Sequence, residues 1–170
     1  MSNKFSDVCG FLFKEARHLD DREWDAWLDM YAPEVQFWMP SWDDDDQLTE
    51  DPQSEISLIY YPNRNGLEDR VFRIKTERSS ASMPEPRTNH MVSNVEILDD
   101  RGDSLDVRYN FHTLSHRYKI TDHFFGAIYL TLKVMGDGSF QITRKKIAKI
   151  KWLPTTCAYR VLAEALTALK

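Results

Sequence analysis

Asp99-Asp100-Arg101-Gly102-Asp103-Ser104-Leu105-Asp106-Val107-Arg108-Tyr109-Asn110-Phe111 is the stretch that decides the fold. A turn of acids around one glycine leads into strict alternation. Leu105, Val107, Tyr109 and Phe111 share one face; Asp106, Arg108 and Asn110 share the other. A period of two indicates a strand with one face on the core. Similar runs lie on either side, so strands are read at residues 88–98, 104–118, 121–134 and 140–152, with Gly136-Asp137-Gly138 separating the last two. Short Asp/Gly turns between long alternating runs indicate consecutive antiparallel hairpins.

Upstream the period changes. Phe5, Val8, Cys9, Leu12, Ala16 and Leu19 recur at helical spacing. A second helix is read from Asp20 or Asp21, with Asp20 as N-cap and Glu23 three residues on completing a capping box. Trp24, Trp27, Leu28 and Tyr31 form its stripe, and Pro33 stops it. Val35–Pro40 reads as a short strand. Residues 41–65 show no clear period, although Ile56–Tyr61 is apolar enough to pack down. Leu67, Val71 and Ile74 mark a third helix after Gly66, Ser79–Pro86 a linker, and Thr156–Leu169 a last helix. Helices first and a long meander after them give an α+β domain whose curved antiparallel sheet wraps around the N-terminal helices. The expectation is one domain over residues 1–170, with a tail from about residue 153.

The 170 residues are enough to bury a core without disulfides or metal. Cys9 and Cys157 lie near opposite ends, which fits a reducing cytosol and a cytoplasmic protein. No run approaches the ~20 apolar residues of a membrane span, and Met1–Asp7 is too polar for a secretory signal. A net charge of -5 argues against non-specific nucleic-acid binding. Five tryptophans are more aromatic area than a core requires, and large rings are enriched at subunit interfaces. Trp38 and Trp42 are the interface candidates among them.

The polar groups do not converge when read along the strands. His112 and His116 point outward, about 13 Å apart along an extended strand, too far to share a metal. If Val95 and Ile97 point inward, His90 and Asn94 point outward, and no carboxylate is placed beside His90 to make it a general base. Arg87, His90 and Asn94 are therefore read as holding the start of the strand and a subunit contact. His123 is placed at a pocket rim, and His18 at the C-terminus of the first helix. Asp43 to Asp46 lacks the spacing and glycine of a calcium loop and reads as a solvated or partner-facing acidic loop. No phosphate loop, Gly-x-Ser-x-Gly or Cys-x-x-Cys occurs.

Tyr31-Ala32-Pro33-Glu34-Val35-Gln36-Phe37 after a helical hairpin is similar to the start of the small (β) subunits of aromatic-ring-hydroxylating dioxygenases. Arg70-Val71-Phe72-Arg73-Ile74 and Pro86-Arg87-Thr88-Asn89-His90-Met91-Val92-Ser93-Asn94-Val95 resemble their central signature. The resemblance covers residues 5–150 and points to the benzoate, toluate, anthranilate and halobenzoate branch. It implies an NTF2-like (cystatin-like) sheet and a non-catalytic structural subunit. The Rieske [2Fe-2S] cluster and mononuclear Fe(II) would belong to a large (α) subunit, with three α and three β chains assembled and electrons from NADH through a reductase. The whole system would add two hydroxyls from O2 to an aromatic carboxylate such as benzoate. The tail after Lys149-Ile150-Lys151-Trp152-Leu153-Pro154 departs from the family, so its C-terminal contacts are not carried over. The competing readings are an independent dehydratase or isomerase using the cone pocket, which needs an inward His90 or His123 beside a carboxylate, and a small-ligand binding module.

Overall fold

The computed structural model describes residues 4–43, 47–76 and 85–150. Helix α1 spans Lys4–Asp20 and α2 Trp24–Leu28; strand β1 follows at Tyr31–Pro40, β2 at Ser57–Tyr61 and α3 at Asn65–Lys75. Then come β3 (Arg87–Asp100), β4 (Ser104–Arg117), β5 (Ile120–Val134) and β6 (Phe140–Lys149). The expected helix over residues 156–169, Cys157, most of the 79–86 linker and residues 44–46 of the acidic run lie outside the described residues.

One six-stranded sheet runs in the order β2-β1-β6-β5-β4-β3. β3 to β6 form the antiparallel meander. β6 then lies parallel to β1, with Phe37 opposite Lys145, and β2 closes the edge antiparallel to β1. The β4–β5 hairpin turns on Tyr118 and Lys119, both at positive φ (51° and 65°). That mirror-type turn matches the strand twist, but it asks two bulky side chains to adopt a conformation most avoid.

The inner face packs on the helices. Val8, Leu12, Ala16 and Leu19 are the buried stripe of α1. They join Trp27, Tyr31, Phe37, Tyr109, Ile128 and Leu130 in a continuous core. Tyr31, Phe37 and Tyr109 are 0 %, 0 % and 2 % exposed, so large rings fill most of the cone.

Two expectations fail where the helices meet the sheet. α2 begins at Trp24 with Glu23 in the cap position and no side chain capping it. Asp20 is not its cap; it ends α1 and bonds to β3 instead. Tyr31 opens β1 rather than ending a helix. Pro33 does not terminate anything, because it sits where the β1–β6 register skips from Tyr31 to Gln36, so no ladder hydrogen bond needs its missing N–H.

Gly126 leaves no room for a side chain between β5 and β6. A Cβ there would stand 2.1 Å from the Ala148 carbonyl oxygen and 3.0 Å from Phe111 Cε1. Gly126→Ala is therefore expected to lower unfolding free energy by about 1–3 kcal/mol, read by chemical denaturation. Wild-type stability in this variant would mean that β5 and β6 are not this close.

Candidate functional site

Two carboxylates on α1 organise the inside of the cone. Glu15 sits within the helix's apolar stripe and is 3 % exposed. Its Oε1 accepts three hydrogen bonds: from Lys145 Nζ (2.6 Å), Tyr31 Oη (2.6 Å) and Trp27 Nε1 (3.0 Å). Lys145 Nζ also donates to Tyr31 Oη at 3.1 Å. Lys145 faces inward beside Ile147 on β6 and is 3 % exposed. Burial pushes the Glu15 pKa up; the Lys145 charge and the three donors outweigh it and leave the group below its usual value. Tyr31 moves the other way: burial, and then the Glu15 charge, raise its phenol well above the usual range, so it stays a donor.

Asp20 ends α1 and binds the start of β3. Its Oδ2 accepts from the His90 backbone N–H (2.9 Å); its Oδ1 pairs with His90 Nδ1 (2.6 Å) and accepts from Thr88 Oγ1 (2.9 Å). Burial raises the Asp20 pKa, and the His90 and Thr88 donors override it, leaving the carboxyl below its usual 3.8.

His90 thus points inward, beside a carboxylate, against the expectation that it faces out with none. The reason is a β-bulge. The β3–β4 register jumps from Ser93↔Asn110 to Glu96↔Arg108, and Asn94 takes φ = 52° at the jump. An extra residue in one strand flips the alternation. Val95 and Ile97 do face the core above the bulge, but Thr88, His90 and Val92 face it below. Asn94 itself remains exposed.

Between the two pairs lies a cavity of about 50 Å³, lined by Glu15, His90, Tyr109, Phe124, Lys145 and Lys149 among others. This is room for a few waters, whereas ligand pockets run to roughly 300–1,000 Å³. The inward His90 beside Asp20 meets one requirement of the dehydratase or isomerase reading, but the cavity does not admit its substrate. Lys149 is 5 % exposed, with Nζ 4.3 Å from the Phe124 ring centre.

The other candidates are dispersed. Arg87 is exposed at the start of β3. Trp38 is 4 % exposed, donates to Ser57 Oγ at 2.9 Å and carries Lys146 Nζ 4.5 Å over its ring. Trp42 is half-buried and donates to the Lys149 carbonyl at 2.6 Å. The strand order puts β1 four places from β3, so these residues form no single patch. His18 is buried and pairs with Glu23, not with the helix end. His123 is not at a cavity rim; it is exposed on the outer face beside His112. Glu15 and Lys145 escaped the sequence reading, and Asp20 entered it only as a helix cap. Glu15 had left a signal, lying three residues after Leu12 and four before Leu19 on the apolar face.

A carboxylate whose pKa is depressed on folding contributes stability above its unfolded value and loses it as pH falls through the folded one. For Asp20 that window lies below pH 3.8. Asp20→Asn is expected to destabilise the chain by about 1–3 kcal/mol at neutral pH, with the gap to wild type closing in acid. A gap independent of pH in denaturation curves would remove the charge from the account.

Among the described residues, no group of three or more His, Cys, Asp or Glu side chains is placed to hold a metal ion. The family of ring hydroxylating beta subunits matches residues 14–151. The chain is 57 % identical over 147 residues to the toluate 1,2-dioxygenase subunit beta of Pseudomonas putida, covering 86 % of this chain and 90 % of that one. It is 52 % identical over 149 residues to the 2-halobenzoate 1,2-dioxygenase small subunit of Burkholderia cepacia, covering 88 % and 90 %. The solved beta subunit of the benzoate 1,2-dioxygenase from Burkholderia mallei superposes with a TM-score of 0.73 at 50 % identity, covering 85 % of this chain and 89 % of that one. The chain belongs to the family of ring-hydroxylating dioxygenase beta subunits.

Proposed function

We propose that this chain is the non-catalytic small subunit of a Rieske-type dioxygenase acting on benzoate or a close aromatic carboxylate. One observation carries the reading: identity above 50 % along some nine-tenths of subunits named for toluate and halobenzoate 1,2-dioxygenases. In this reading the cluster, the mononuclear iron and the substrate pocket belong to a large subunit, with three copies of each chain in a cytoplasmic assembly fed by NADH through a reductase. What this chain contributes is a rigid surface. Its outer sheet face exposes Leu98, Phe125 and Tyr129 at 52 %, 42 % and 39 %, an apolar face suited to being covered. In this reading Arg87, Asn94 and Trp42 contribute at its edges, while His90 holds the start of β3 from within and Trp38 supports β1 and β2.

The experiment is co-expression with the large subunit of a benzoate-type dioxygenase. The chain alone is expected to purify without iron and to oxidise no benzoate, and the complex, supplied with its reductase and NADH, to contain iron and oxidise benzoate. Tight stoichiometric iron in the isolated chain would contradict the proposal. His90→Ala is expected to weaken assembly about tenfold, or 1.4 kcal/mol, with turnover per assembled complex unchanged. A fully assembled but inactive His90→Ala complex would give His90 a direct part in the chemistry.

A further inference from the structure

The outer face of the sheet brings together two imidazoles that lie on different strands. His112 on β4 stands opposite Phe125, and His123 on β5 opposite Leu114. The diagonal between them leaves His112 Nε2 3.1 Å from His123 Nδ1, with the ring centres 5.3 Å apart and the planes 30° from parallel. His112 is half-buried and His123 exposed. We propose that His112 and His123 form a bidentate site for a borderline divalent cation: Zn²⁺, Ni²⁺ or Cu²⁺.

The spacing is that of a chelate. Two nitrogens about 2.0–2.1 Å from one ion, at angles from square to tetrahedral, stand roughly 2.9–3.4 Å apart. The two side chains therefore need only small ring rotations to bind, and the paired strands that carry them need not move. Imidazole is a ligand these three ions favour. A ring hydrogen between the two nitrogens moves to the far nitrogen of its own ring on binding, which frees both lone pairs for the ion.

Among the described residues, those in register with the pair are Met91, Leu114 and Phe125, none of them charged. His116 lies on the other diagonal from His123, but its Nδ1 is engaged with Thr121 Oγ1 at 2.9 Å. Two protein ligands leave the remaining positions to water, which makes the site open and exchangeable.

The test is calorimetric titration of the untagged full-length chain with zinc, nickel and copper salts. One ion per chain is expected, with the thermal midpoint rising with metal concentration. His112→Ala and His123→Ala should each weaken binding by at least the roughly tenfold that loss of even an outer-sphere partner costs. Both side chains sit on the surface, so folding, read by circular dichroism, should be unchanged. His116→Ala should bind as wild type does. Absence of stoichiometric binding in the wild type, or binding that survives in the His112→Ala/His123→Ala double variant, would overturn the proposal.

Discussion

A carboxylate placed inside a cone of aromatic rings has to be answered by donors, and the answer to Glu15 determines how the chain closes. Lys145, Tyr31 and Trp27 converge on one oxygen from β6, β1 and α2. The seam between β1 and β6 is the only parallel pairing in the sheet among the described strands. It is where the meander rejoins the first strand, and Lys145 stands on it opposite Phe37. A buried pair of this kind adds little net stability over an apolar replacement, yet loss of one partner costs about 3–5 kcal/mol because the other charge is stranded. Its effect is to specify which strand lies beside which. Asp20 repeats the device at the far edge, tying the end of α1 to the start of β3.

Local periodicity carried most of the fold. The four long strands were legible because alternation and Asp/Gly turns reinforce each other, as in Leu105 to Phe111 after Gly102. α1 and α3 were legible from their apolar stripes. What escaped was set by contacts distant in sequence. Tyr31 reads as one more apolar residue at helical spacing, and only the pairing with Ile142 makes it a strand residue. The parallel return of β6 has no local signal at all.

The site was less legible than the fold, for one structural reason. Alternation gives the facing of a strand residue only while the ladder is unbroken. A single extra residue at Asn94 reverses it, carrying His90 from the outer face to the inner one. Charged residues on an apolar face are hard to read locally for a similar reason. Glu15 and Lys145 each look misplaced alone and make sense only as partners 130 positions apart. The His112–His123 pair was likewise invisible to any reading that took one strand at a time.

This fold hosts catalysts and scaffolds alike, so function has to rest on the site. Here the cone contains His, Asp, Glu and Lys, yet each is held by another protein group, and the space left among them is about 50 Å³. Its polar groups are joints between elements. The most direct measurement of this claim is turnover per assembled complex of the dioxygenase carrying Glu15→Leu together with Lys145→Met. The account expects the paired replacement to lower stability, because Tyr31 and Trp27 lose their acceptor, and the assembled complex to turn over as wild type does, because the charges do no chemistry. A folded, fully assembled complex that loses turnover when this pair becomes apolar would contradict it.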